Sequence, residues 1–298
     1  MRFCLVEIPG HAGPRLCVEK GTDLVVLDAP PSVRQALDAL GSTELMNLAK
    51  KASGSTVAQS KVTRWLPPVP DPRVYRDFYG FEQHVKAARA RRGQEMIPEW
   101  YKIPIFYFSN PTAFFGHNEA IKKPESTNEL DWELEIACII GERARDLTEK
   151  NAEDAIFGYA VLNDWSARDL QREEMKCMLG PAKGKDFANS LGPWVVTKDE
   201  LADRREAPGK YNLTMIGRRN GKEVSRSNMN TLYYTFAQML VRGSRDVWLH
   251  PGDVCGSGTC GTGCILELGP ENVGGWVKPG DVLEMEIERL GTLRTPVE

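Results

Sequence analysis

The sequence has no apolar run approaching the ~20 residues that a membrane-spanning helix needs, which excludes a helical membrane protein. Its first residues, Met1 to Ile8, turn polar too soon for a secretory signal, so the expected location is the cytoplasm. A net charge of only −3 gives no basis for a surface that holds nucleic acid by bulk electrostatics. Seven cysteines form no Cys-x-x-Cys pair and are odd in number, against a disulfide framework. The tightest group, Cys255, Cys260 and Cys264 with His250 nearby, fits no standard zinc spacing, and reduced thiols are the simpler reading. Regular βαβ alternation is missing as well, which disfavours a Rossmann fold or a TIM barrel.

What is present reads as an ordinary globular chain of 298 residues, long enough to bury a full core. Arg2 to Ile8 and Leu16 to Leu27 read as strands, the second broken at Gly21. Pro30 to Gly41 carries a helical stripe of Val33, Leu37 and Leu40, and Ser42 is placed to cap a second helix through Leu48. The proline-rich stretch Trp65 to Pro72 is the best boundary. It predicts a small N-terminal α/β module at 1–68 and a larger domain at 69–298. Beyond it, Phe81 to Glu95 suits a solvated helix. Asn151 to Ile156 reads as a short helix leading into the strand Phe157 to Leu162, and Thr231 to Val241 as a helix. Pro251-Gly252-Asp253 and Pro279-Gly280-Asp281 each launch a strand. The class expected is α+β, mostly β.

Four stretches carry candidate chemistry. In Leu130 to Gly141 acids and apolar residues alternate before an apolar run. As one strand it puts Asp131, Glu133 and Glu135 on one face, entering the interior. Buried carboxylates need a cation or a basic partner; the alternative is a solvated acidic face. By spacing alone, Glu284, Glu286 and Glu288 are an equal metal candidate. In Asn163 to Gln171, a continued helix brings Asp164, Arg168 and Gln171 to one face as the edge of a site; the alternative is a capped helix start with an intrahelical Asp–Arg pair. Leu179 to Phe187 lacks the Walker spacing, but Lys185 reads as a buried cation. Gly256 to Cys264 is dense enough in glycine to let a backbone approach a ligand, or it is a plain surface loop. Of the four histidines, His84 lies among acids and aromatics and is the best acid/base candidate. His11, His117 and His250 read as exposed, structural and turn residues.

Taken together these stretches resemble the fumarylacetoacetate hydrolase family. The resemblance rests on Leu130 to Glu135, Asn163 to Gln171, Gly184-Lys185-Asp186-Phe187, Gly258-Thr259 and the ending Gly291 to Val297, and covers roughly residues 70 to 297. It implies a mixed β-roll with a small N-terminal module, a homodimer, and a divalent cation, Mg²⁺ or Mn²⁺ with Ca²⁺ also accommodated. The positions matching its ligands are Glu133, Glu135, Asp164 and, from Asp77-Phe78-Tyr79, Asp77. That stretch with His84 resembles the fumarylacetoacetase branch itself. There the histidine, paired with the position of Glu267, activates water. Lys185, Arg168 and Gln171 match the groups that stabilise a leaving carbanion. Tyr79, Tyr107 and Thr259 match substrate contacts. Asp131 matches no ligand and is expected at the strand's wet end. The arginine for a distal carboxylate is left open among Arg89, Arg91 and Arg92.

The resemblance therefore implies a metal-dependent hydrolase that cleaves a C–C bond in a 2-oxo or β-diketo acid of the acylpyruvate type. The alternatives are a 2-oxo acid decarboxylase, or a dehydratase, hydratase or isomerase using the same enolate chemistry. A non-catalytic, metal-dependent small-acid binder is the alternative from another class.

Overall fold

A computed structural model describes residues 1–298. It is mostly β, as expected. Its main sheet has thirteen strands. Ten of them run in the order Thr56–Ala58, Asp23–Val26, Arg15–Lys20, Arg2–Glu7, Val195–Thr197, Ile156–Asp164, Leu134–Ile140, Val254–Gly256, Tyr75–Phe78, Phe106–Ser109. A second sheet holds Lys222–Asn228, Thr214–Arg219, Val282–Ile287 and Gly291–Pro296. No helix is long and apolar enough to cross a membrane.

The strand Leu134–Ile140 is buried at every position, because both faces of the sheet are covered. Alternate residues serve different cores. Ile136, Cys138 and Ile140 join the larger one, with Met215, Met285 and Ile287 of the second sheet and Phe236 and Leu240 of a helix. Ala137 and Ile139 face the other way, onto a core with Val33, Ala36, Leu37, Leu45 and Ala49. The strands of residues 1–68 continue the main sheet and feed the same two cores: Cys4 and Val6 enter one, Phe3 the other.

Several local expectations are corrected. The helix Val33–Lys51 is capped by Ser32, whose hydroxyl accepts from the Gln35 N–H at 3.2 Å. Gly41, at φ +75°, breaks its path. A second helical segment does begin at Ser42, as expected, but its hydroxyl does not cap it; it donates to the Gly141 carbonyl at 2.9 Å and ties helix to sheet. Phe81 to Glu95 shortens to the helix Glu82–Arg91, which buries His84, Val85 and Ala88. Thr231 to Val241 becomes a 3-10 turn and the helix Phe236–Gly243, closed by a capping box at Thr235 and Gln238.

The central acidic stretch is two strands. Leu130–Asp131 pairs with Ser166–Ala167, and Leu134–Ile140 pairs with Ile156–Asp164. The chain changes partner at Trp132-Glu133, which ends the strict alternation of faces. Asp164 closes its strand and the helix begins at Arg168. The expected i, i+4, i+7 helical face therefore holds only for Arg168 and Gln171.

Gly158 lies where its strand meets Val195–Thr197. A Cβ there would come within 2.4 Å of the Val196 carbonyl oxygen, and backbone cannot swing aside. Gly158→Ala is expected to cost about 1–3 kcal/mol. Urea unfolding should show a lower midpoint with an unchanged slope; an unchanged midpoint contradicts the packing described.

Candidate active site

Neighbouring strands build the acidic centre. Asp164, Glu135 and Asp77 stand on Ile156–Asp164, Leu134–Ile140 and Tyr75–Phe78. The last two are separated by Val254–Gly256. That spacer strand can lie there because its residue is glycine. Gly256 pairs with Asp77, and a Cβ on it would meet Asp77 Oδ1 at 2.3 Å and Glu135 Oε2 at 2.9 Å. Glu133 joins from the break before its strand. Ligand oxygens of Asp77, Glu133, Glu135 and Asp164 all lie within 4.8 Å of one another, and all four residues are buried.

Two cations meet part of this charge. Lys185 Nζ donates to Glu133 Oε2 and Asp164 Oδ2, both at 2.5 Å. Arg168 donates to Glu133 Oε1 at 2.7 Å, to Asp131 Oδ2 at 2.8 Å and to Gln171 Oε1 at 3.0 Å. Tyr107 donates to Asp164 Oδ2 at 2.6 Å. The Gly258 N–H donates to Glu135 Oε2 at 3.1 Å. Asp77 Oδ1, Glu135 Oε1 and Asp164 Oδ1 are buried with no donor at all. Orphaned buried oxygens are costly, and charged ones more so.

The electrostatics follow that inventory. Burial raises the Asp77 carboxyl well above the ordinary range, and the Asp164 charge adds to it. Burial and Asp77 do the same to Glu135. Burial also acts on Glu133, but Lys185, Arg168 and His84 outweigh it and hold that carboxylate below the usual range. Burial works against the Lys185 ammonium, yet Asp164 and Glu133 keep it more firmly protonated than an ordinary lysine. Three orphaned oxygens from three carboxylates suit a hard divalent cation. Glu133 differs, since both of its oxygens already accept from protein cations.

Beside this centre stands a second group. His84 Nδ1 lies 2.5 Å from Glu267 Oε1. Glu267 Oε2 accepts from the Thr262 N–H at 2.9 Å. The turn Ile265–Leu268 that carries Glu267 is anchored by Asp131, which accepts from the N–H groups of Ile265 and Leu266 at 2.7 and 3.0 Å. Asp131 is fully buried. Its expected wet position is thus wrong: the strand break turns it onto Arg168 and the Glu267 turn, linking the two halves of the site.

Both groups border one cavity of 380 Å³. Asp77, Tyr79, His84, Tyr107, Glu133, Glu135, Arg168, Gln171, Lys185 and Thr259 line it. Asp164 and Glu267 sit behind, bonded to Tyr107 and Lys185 and to His84. The structure also separates the three arginines left open by the sequence. Arg92 lines the cavity, Arg91 donates to the Glu267 carbonyl at 3.1 Å, and Arg89 donates to the Glu95 carbonyl. Gly256 to Cys264 is no plain surface loop, being buried at every position but Thr262. The look-alike acids do not gather: Glu286 pairs with Arg218 at 2.7 Å and Glu288 with Arg204 at 2.8 Å. His117 is a structural acceptor, from the Arg294 N–H at 3.2 Å.

Comparisons with known proteins fit this geometry. The model of the fumarylacetoacetate (FAA) hydrolase C-terminal domain matches residues 73–298. Fumarylacetoacetase of Arabidopsis thaliana is 31% identical over 243 residues, which cover 65% of this chain. The match spans 58% of the length of that protein, as it does of a further curated relative. Oxaloacetate tautomerase FAHD2A, mitochondrial, of Bos taurus is 30% identical over 310 residues, covering 98% of this chain and 90% of that one. Among solved structures, fumarylacetoacetate hydrolase from Exiguobacterium antarcticum superposes with a TM-score of 0.78 at 26% identity, covering 100% of this chain and 99% of the other.

The raised Asp77 and Glu135 carboxyls fix the sign of a pH effect. Groups raised in the folded state contribute stability at low pH and lose it as pH rises through their folded values. A cation supplied at neutral pH offsets that loss and must displace fewer protons there. Addition of Mg²⁺ or Mn²⁺ at a hundred times Kd is expected to stabilise the fold by about 2.7 kcal/mol at pH 8. The rise in Tm should shrink steadily as pH falls toward the carboxylate range. A rise independent of pH contradicts the placement of the cation among these groups.

Proposed function

The chain belongs to the fumarylacetoacetate hydrolase family, and from that starting point we propose that it is a metal-dependent hydrolase of a 2-oxo or β-diketo acid, cleaving the C–C bond between one carbonyl carbon and the carbon that links it to the second carbonyl, as in an acylpyruvate. The observation that carries this reading is the His84–Glu267 pair, 2.5 Å apart, with His84 on the wall of a cavity whose other wall is the carboxylate cluster.

Asp77, Glu135 and Asp164 would hold Mg²⁺ or Mn²⁺ through their donor-free oxygens, with Glu133 as fourth ligand or as the anchor of Lys185 and Arg168. The cation supplies Lewis-acid charge where negative charge develops on substrate oxygen. The protein's part is proton transfer and positioning. With the Nδ1 proton given to Glu267, His84 keeps its Nε2 lone pair as a base. Nε2 takes a proton from water while the remaining hydroxide adds to one carbonyl carbon. The C–C bond then breaks, its electron pair passing into the enolate of the departing half. His84 returns its proton to that carbon. Lys185, Arg168 and Gln171 donate toward the enolate side, each a stabilisation of a few kcal/mol at most, on the order of 2.7–4. Tyr79, Tyr107 and Thr259 orient the acid.

A second reading is favoured by the relative that spans nearly the whole chain and is named an oxaloacetate tautomerase. The same His84 can move a proton between carbon and oxygen of an enolisable 2-oxo diacid with no water consumed. The unpaired Arg92 on the cavity wall suits a second carboxylate under either reading.

The test is a panel of acylpyruvates and oxaloacetate, assayed with Mg²⁺ or Mn²⁺ and after EDTA. Loss of the diketone absorbance with two carboxylic products supports hydrolysis; interconversion of enol and keto oxaloacetate alone supports the second reading. His84→Ala should lower hydrolysis by roughly 10²–10⁴-fold while the cation-induced rise in Tm persists. Undiminished turnover in EDTA overturns the metal dependence. Calorimetric binding of these acids with no product formed overturns both catalytic readings.

A further inference from the structure

Cys264 plays no part in the chemistry above, yet it sits against the His84–Glu267 pair. Its Sγ lies 3.9 Å from His84 Nδ1 and 3.8 Å from Glu267 Oε1. It is fully buried, and those two atoms lie within hydrogen-bond range of its sulfur. Nitrogen, sulfur and oxygen donors of His84, Cys264 and Glu267 fall within 4.8 Å of one another. From this cluster we propose that the chain carries a second metal site, built by His84, Cys264 and Glu267 and selective for a thiophilic divalent cation such as Zn²⁺, whose occupation silences the proton-transfer pair.

The donor sets sort the metals. The carboxylate centre offers oxygen alone and suits hard cations. The second cluster offers imidazole, thiolate and carboxylate, a set typical of zinc. Tetrahedral zinc with bonds of about 2.0–2.3 Å holds its ligand atoms roughly 3.3–3.6 Å apart. The sulfur must close in by a few tenths of an ångström. The His84–Glu267 separation must open from 2.5 Å by less than an ångström, which inserting the ion in place of the shared proton accomplishes. Glu267 stays oriented through Oε2 and the Thr262 N–H. Of the three ligands, His84 lines the cavity, which is the route open to the ion.

Protons balance as follows. The Cys264 thiol releases its proton to solvent. The imidazole remains neutral, its proton moving from Nδ1 to Nε2 as the metal takes Nδ1. Nε2 then has no lone pair to accept a proton. The loss of activity rests on His84 acting as the base; binding of the ion does not.

Cobalt(II) is the optical probe, added without substrate to the Mg²⁺-loaded Cys177→Ser protein, because Cys177 is the one exposed thiol. A thiolate-to-cobalt charge-transfer band is expected there and should vanish in Cys177→Ser/Cys264→Ser. Absence of the band from the first protein, or its persistence in the second, overturns the site, whatever the folding of the double variant. In turnover assays Zn²⁺ should inhibit the Mg²⁺-loaded enzyme, and Cys264→Ser, with basal turnover retained, should need at least tenfold more Zn²⁺. Equal sensitivity of the two overturns the regulatory claim and points to competition at the carboxylates. If the cobalt band depends on Cys264 but no acid is turned over, the metal site stands and the catalytic reading fails.

Discussion

Five buried carboxyls share one region of this fold with two buried protein cations. Asp77, Asp131, Glu133, Glu135 and Asp164 face only Lys185 and Arg168. Removing an ion from water without a partner is among the largest penalties in protein energetics. Asp131 and Glu133 are met by Arg168 and Lys185, and Lys185 also reaches one oxygen of Asp164. The residual charge lies on Asp77, Glu135 and Asp164, each with a donor-free oxygen. A divalent cation would answer that imbalance; as a purely structural network the cluster is only partly satisfied, which is worse than an apolar core.

The fold concentrates this charge by using rigid strands buried on both faces. Leu134–Ile140 alternates its side chains between two cores, so Glu135 cannot turn away without moving the sheet. Gly256 lets the strand between Glu135 and Asp77 pass beneath both carboxylates. Asp131 is the quiet member. By accepting from Arg168 on one side and from the turn of Glu267 on the other, it joins the carboxylate cluster to the His84–Glu267 pair.

Much of this was legible in the residues. The apolar run after Glu135 announced a buried strand, and Lys185 between glycine and Phe187 announced a buried cation. Periodicity could not separate Glu133 and Glu135 from Glu284, Glu286 and Glu288, because the pleat is the same in both. What separates them is neighbours: the second set meets Arg218 and Arg204 at a partly exposed sheet, a fact of tertiary pairing. The same limit explains Asp131. Period two assumes one uninterrupted strand, and the exchange of partners at Trp132-Glu133 is written nowhere in the local sequence. Choosing Arg92 over Arg89 and Arg91 needs the phase of a helix end against the cavity. Cys264 read as a reduced thiol grouped with Cys255 and Cys260, and only the fold sets it beside His84.

Everything proposed for the chemistry depends on where a hard cation sits. Anomalous scattering from a crystal soaked in Mn²⁺ locates it directly. A single strong peak is expected among Asp77, Glu135 and Asp164, with Glu133 or its bound Lys185 at its edge. An empty acidic centre with Lys185 still bridging Glu133 and Asp164, or a peak at Glu284 to Glu288 instead, contradicts the account.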